Sequence, residues 1–235
     1  MRHDDLDSPR QRPGALEAIE ADLSWLGLTW DGPPLRQSER MGLYGSVLSA
    51  LRRGGALYPC RCSRRMLADL SAPHGGWPLY PGTCRDQAMG WGPRQGRLPS
   101  WRLRLEPGTL RWREEIGPEG CLDAATEVGD VVLRRADGLL AYHLTSAVDD
   151  LLLAVTTVVR GADLWRSTAP QLAVSERLGR PFADTWHVPL WLDGAGQRLA
   201  KRQDAVGLEP LRQAGLDAAA VIGRMAASLE LVPAG

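Results

Sequence analysis

Apolar residues recur at helical spacing twice near the start of the chain. In "PGALEAIEADLSWLGL", Leu16, Ile19, Leu23 and Leu26 share one face behind Pro13, and Gly27 closes the run. In "RMGLYGSVLSALRRGG", Leu43, Val47, Leu48 and Leu51 form a second stripe that stops at the Gly54-Gly55 pair. Both are predicted amphipathic helices with the stripe turned to a core.

The period then changes. "ALYPCRC" predicts a short strand, the residues around Met66 to Leu70 a short helix, and "SAPHGGWPLYPGTCRD" a Pro/Gly-rich loop. "SWRLRL" and "GDVVLRR" alternate apolar residues with arginine, as half-buried strands do, and Asp137-Gly138 marks a turn. Beyond it helix and strand alternate: "YHLTSAVDDLLL" helical, "VTTVV" a strand, "TAPQLAVSERLG" a helix capped by Ser167 or Thr168, and "WHVPLWLD" a strand. Strands separated by helices predict parallel βαβ units, so the fold class is α/β, broken by a β-rich insertion over residues 56–137.

Composition sets bounds without choosing a function. At 235 residues, 44% hydrophobic and 24% charged, the chain can bury one sizeable core or two small ones. It has no run of about 18 apolar residues and no export-type apolar start, which makes the cytoplasm the default location. Four cysteines are too few for a disulfide scaffold. The formal net charge is +0, so contact with nucleic acid needs a local basic face. The cations are 27 arginines and one lysine, Lys201. A compact ammonium on a flexible stem is kept where a planar guanidinium does not fit, as at a crowded phosphate site.

Three groups of residues carry candidate chemistry. The first is Cys60-x-Cys62 followed by Cys84 in a Pro/Gly loop, three thiolates able to converge on Zn²⁺. Tyr80, His74 and Cys121 are the candidates for a fourth ligand, and spacing favours Tyr80. Three unrelated buried thiols would give the same spelling. The second is "DGAGQRLAKRQDA", a glycine-rich turn whose Arg198, Lys201 and Arg202 can close over a polyphosphate. The third is "VVRGADL", which puts Arg160 and Asp163 at the carboxyl end of a strand, where parallel α/β sheets bind ligands. An arginine there suits a substrate carboxylate, and Tyr142, Asp149 and Asp150 lie near it in sequence.

Taken in order, "DDLDSPR", "YPCRCSRR", "YPGTC", "VVRGADL", "HVPLWLD" and "RLAKR" resemble the catalytic domain of class I glutamyl-tRNA synthetases. They are most similar to its short paralogues, the glutamyl-queuosine tRNA(Asp) synthetases. The resemblance covers Arg2 to about Ala205. It implies a Rossmann-type catalytic domain over residues 1–55 and 138–205, a zinc-bearing insertion over 56–137, and a C-terminal helical segment over 206–235.

It also implies an activity. Such a ligase activates glutamate with ATP and Mg²⁺, and the short branch passes the glutamyl group to queuosine in the anticodon of tRNA(Asp). Carried over residue by residue, Asp4, Tyr142 and Arg160 are glutamate contacts, with Arg160 on the side-chain carboxylate. Lys201 is the catalytic lysine of an ATP loop made of Arg198, Leu199, Ala200, Lys201 and Arg202. Cys60, Cys62, Tyr80 and Cys84 are the ligands of one structural zinc. The implied partners are glutamate, ATP and queuosine-bearing tRNA(Asp), with no membrane and with a monomer favoured.

Departures qualify the match. Asp4 stands for a glutamate and draws its carboxylate back by about 1.5 Å. His3 stands for an apolar strand residue, and Arg198 and Ala200 for lysine and serine. In the family a first strand and an H-I-G-H-like helix precede the segment matched by "RHDDLDSPR", so the chain is expected to be N-terminally truncated, with weak or no activation of its own. Only 34 residues follow Lys201, too few for a helical anticodon-binding domain. That favours the queuosine branch. The alternatives are an inactive zinc-binding paralogue and a fragment of a glutamate-tRNA ligase.

Overall fold

Each stretch of strand–helix–strand sequence near the two ends of the chain closes a parallel pair. The structure, a computed structural model, describes residues 1–6, 13–68, 77, 79–190, 192, 207–229 and 231. Its contacts divide the chain into two units, residues 1–36 with 189–235, and residues 37–188.

In the first unit β1 (Arg2–His3) pairs parallel with β2 (Leu35–Arg36), and α1 (Ala15–Trp25) connects them. Gly14 supplies the left-handed residue that opens α1, with φ of 76°. The helix lies where its spacing predicts, yet none of its residues is fully buried and Ile19 is 41% exposed. Strands of two residues present too little apolar surface to enclose a three-turn helix. The buried group at this sheet is His3, whose Nε2 meets Oε1 of Glu20 at 2.7 Å. The C-terminal stretch forms α6 (Leu208–Gln213) and α7 (Ala218–Ser228) in the same unit.

The second unit starts with a 3-10 turn at Gln37–Arg40 and α2 (Met41–Arg53), which ends at the glycine pair. Its buried face is Tyr44, Leu48 and Leu51, so a tyrosine replaces Leu43 and Val47 at the centre of the predicted stripe. Then come β3 (Leu57–Cys60), α3 (Arg64–Ala68) and β4 (Ser100–Leu103). β5 (Thr109–Trp112) and β6 (Gly120–Asp123) form a hairpin absent from the sequence-based expectation, and β7 (Val131–Arg134) follows a single π turn. β3, β4 and β7 make one antiparallel sheet. α4 (Tyr142–Leu152), β8 (Thr157–Gly161), α5 (Thr168–Arg177) and β9 (Asp184–Val188) complete the unit, and β8 pairs parallel with β9.

This last βαβ unit positions the site. α5 carries no charge before Glu176, and Thr168 through Ser175 are all buried. It packs on α4, whose residues Leu144–Asp149 are buried in turn. Residues 113–115 run along β9, with the Glu115 N–H donating to the Thr185 carbonyl at 2.9 Å and the Thr185 N–H to the Arg113 carbonyl at 3.0 Å. The hairpin is thereby tied by main-chain bonds to the strand next to Arg160. No helix among the described residues is long and apolar enough to cross a membrane.

Candidate functional site

Arg160 sits near the end of β8, and three side chains hold its guanidinium. Its Nε donates to Nε2 of His187 at 3.0 Å, one terminal nitrogen to Oε1 of Gln171 at 2.7 Å, and the other to Oγ1 of Thr168 at 2.6 Å. A guanidinium has five N–H donors. Among the described residues these partners take one N–H on each terminal nitrogen and leave one, and guanidinium N–H groups are the donors that suit a carboxylate. The cap expected at Ser167 or Thr168 is not made: Ser167 precedes α5 without a side-chain cap, and the Thr168 hydroxyl serves Arg160 instead.

His187 is held on its far side. Its Nδ1 lies 2.6 Å from Oε2 of Glu114, whose Oε1 accepts the His187 main-chain N–H at 3.0 Å, while the Thr185 hydroxyl donates to Oε2 at 2.9 Å. Burial opposes the Glu114 charge, yet these donors, His187 first, hold its carboxyl below the ordinary range.

Tyr142 opens α4, is 38% exposed and stands edge-on to His143 with ring centroids 5.9 Å apart. Burial, with the Arg160 charge second, pushes the His143 imidazole down to about 4, so it is neutral near pH 7. Its Nδ1 and the Nε2 of Gln171 are buried without a hydrogen-bond partner among the described residues. Asp149, read from sequence as a possible pocket acid, is instead fully buried among Gln37, Arg40 and Tyr44. Asp4 belongs to the other unit, where its carboxylate accepts Nε of Arg2 at 2.8 Å. Arg198, Leu199, Ala200, Lys201 and Arg202 lie outside the described residues, as does His74.

The cysteine group is assembled. Sγ of Cys60, Cys62 and Cys84 all lie within 4.8 Å of one another, with Cys62 and Cys84 at 3.6 Å. The Tyr80 hydroxyl stands 3.4 Å from Cys60 and 3.8 Å from Cys62, and accepts the Cys84 main-chain N–H at 2.8 Å. A tetrahedral Zn²⁺ with sulfur ligands near 2.3 Å and oxygen near 2.0 Å requires S–S edges of about 3.8 Å and S–O edges of about 3.5 Å. The Cys62–Cys84 edge and the two edges from the Tyr80 hydroxyl to Cys60 and Cys62 lie near those lengths, and the remaining thiol separations stay within 4.8 Å. Cys121 lies exposed on β6 and is not in the group.

The thiols and the tyrosine hold their protons unequally. Burial, then the bond to Cys84, pushes Cys62 up to about 11, and burial with the neighbouring thiols raises Tyr80 as well. Against its own burial, Cys84 is held below its ordinary value by the Tyr80 hydroxyl and the Arg61 N–H. Arg102 stacks over the Tyr80 ring at 3.6 Å and donates to the Asp130 carbonyl at 2.6 Å. An open groove beside Cys62 is lined by Arg65, Arg97, Arg102 and Arg135 against one acid, Asp137. That supplies a local basic face on a chain of zero net charge.

The pattern described as "tRNA synthetases class I (E and Q), catalytic domain" matches residues 1–223. The chain belongs to this family. A glutamyl-Q tRNA(Asp) synthetase of Prochlorococcus marinus is 52% identical over 236 residues, covering 100% of this chain and 72% of that protein. One of Nitratidesulfovibrio vulgaris is 42% identical over 253 residues, covering 99% of this chain and 76% of that protein. A solved glutamate-tRNA synthetase of Elizabethkingia anophelis superposes with a TM-score of 0.70 at 22% identity, over 86% of this chain and 45% of that one. The class I synthetase catalytic fold expected from sequence is therefore the fold observed.

Within this family the residues around Arg160 divide by how visible they are. Arg160 and Tyr142 stand in recognisable motifs. His187 falls in "HVPLWLD" and Thr168 and Gln171 in the helix "TAPQLAVSERLG", where only a cap at Thr168 is expected, and Glu114 falls in none of these segments.

Proposed function

We propose that the chain catalyses the ATP-dependent activation of glutamate and the transfer of the glutamyl group to queuosine in the anticodon of tRNA(Asp). The observation that carries this reading is the 52% identity, over the whole chain, to a relative named for that reaction. The two Arg160 guanidinium N–H groups that no described residue takes support it chemically, because such donors suit a planar carboxylate.

In this reading Arg160 grips the side-chain carboxylate of glutamate, and Tyr142 and Asp4 contact the rest of the amino acid. The glutamate α-carboxylate attacks the α-phosphorus of ATP and pyrophosphate leaves, with Mg²⁺ accompanying the nucleotide. Lys201, in the loop with Arg198, Leu199, Ala200 and Arg202, stabilises charge that develops on the phosphates. Cys60, Cys62, Cys84 and Tyr80 hold one zinc ion, which closes the β3 strand and the 80–84 loop into a single structural unit. The arginine groove beside it serves RNA phosphates. The location that fits this chemistry is the cytoplasm.

The test is amino-acid-dependent exchange between pyrophosphate and ATP, with glutamate, glutamine and aspartate compared. Weak exchange, with glutamate alone, is the expected result. Equal exchange with glutamine would remove the carboxylate–Arg160 pairing on which the reading depends.

A further inference from the structure

We propose that Glu114 is a positioning residue for Arg160, acting through His187 to fix the guanidinium that receives the substrate carboxylate. The inference rests on the glutamate reading above. It adds three residues, drawn from the hairpin and from β9, to the machinery of that site.

Arg160 can only donate, so the His187 Nε2 that faces its Nε at 3.0 Å must present a lone pair. The imidazole is then neutral with its proton on Nδ1, and that proton points to Glu114 Oε2 at 2.6 Å. The Glu114 carboxylate is itself fixed by the His187 main-chain N–H and the Thr185 hydroxyl. Glu114 and His187 side chains are 2% and 3% exposed, so water does not compete for these bonds. With the guanidinium Nε committed to His187, and Gln171 and Thr168 each taking one N–H, the plane of Arg160 is set before substrate arrives.

Glu114→Gln tests this without a large change in volume. Only the amide oxygen can accept the His187 main-chain N–H, which leaves the amide nitrogen facing Nδ1 and forces the imidazole proton onto Nε2. Two donors then face each other at Arg160. The measurements are ¹⁵N NMR of the imidazoles, of which the chain has four, and the glutamate KM and kcat in pyrophosphate exchange.

The expected result is an Nδ1 proton on His187 in the native chain and an Nε2 proton in the variant. With it, the KM for glutamate rises by about tenfold or more while kcat changes far less.

An unswitched tautomer in Glu114→Gln, or a switched one with unchanged KM, overturns the proposal. If that variant does not fold, Glu114→Asp, which withdraws the carboxylate by about 1.5 Å, replaces it: raised KM supports the proposal and unchanged KM overturns it. A native chain that shows the Nδ1 proton but no glutamate-dependent exchange overturns the glutamate reading, and the substrate role of Arg160 with it. The tautomer separates that failure from the absence of the relay.

Discussion

The Tyr44 hydroxyl donates to the Asp149 carboxylate at 2.7 Å, joining α2 to α4 across 105 residues of sequence. Gln37 Nε2 and Arg40 Nε donate to the same carboxylate at 3.0 Å each, and Asp149 is fully buried. Removing the acceptor strands three donors. Asp149→Ala should destabilise the fold by roughly 3–5 kcal/mol, and Tyr44→Phe by about 1–2 kcal/mol, read from urea unfolding at neutral pH. Equal small losses from both would contradict a shared buried anion.

The metal centre predicts a stoichiometry and a pH dependence. The purified protein should carry about one zinc per chain, and Tyr80→Phe, which keeps all three thiols, should bind it at least about tenfold more weakly. Metal must displace the protons that burial retains on Cys62, near 11, and on Tyr80. Affinity therefore falls as pH is lowered. Competition with a chromogenic chelator at two pH values checks both statements, and unchanged affinity in Tyr80→Phe would return the fourth position to another ligand.

His143 makes a separate prediction for stability. Its folded value is about 4, below the ordinary value near 6.5, so the unfolded chain takes up the proton first as pH falls. The contribution is complete above about pH 6.5 and is lost progressively between 6.5 and 4; it amounts to at most about 3 kcal/mol. His143→Gln should flatten the stability profile between pH 7 and 5 relative to the native chain. Parallel profiles would contradict the assignment.

Gly120 faces Trp112 as its cross-strand partner in the β5–β6 hairpin. A Cβ at Gly120 would overlap the Trp112 indole, which is buried and lies 4.9 Å from the Trp165 ring. Gly120→Ala should cost about 1–3 kcal/mol and alter tryptophan fluorescence. A variant of native stability would show that the indole has room to move.

These tests also mark what sequence could reveal. Cys60, Cys62, Tyr80 and Cys84 were legible because one strand end and one loop hold them within 25 residues, and ligand chemistry restricts the residue types. Arg160 was legible from its place at the end of a strand. Tyr44 was not, because its reason for burial is an aspartate 105 residues away. Glu114 and His187 are separated by 73 residues, and Glu114 is presented from the long loop 113–119 and not from a two-residue hairpin turn. Periodicity reports which face is apolar. It carries no information about which buried polar group awaits a partner from elsewhere in the chain, and Thr168 shows the result, a predicted cap used instead by an arginine.

The most direct test of the function is where glutamate is placed. Labelled glutamate, ATP and tRNA(Asp) with or without queuosine are incubated with the protein, and the RNA is then cleaved to separate the anticodon loop from the 3′ end. The account predicts label in the anticodon fragment of queuosine-bearing RNA alone. Label at the 3′ end, label independent of queuosine, or none in either RNA would contradict it.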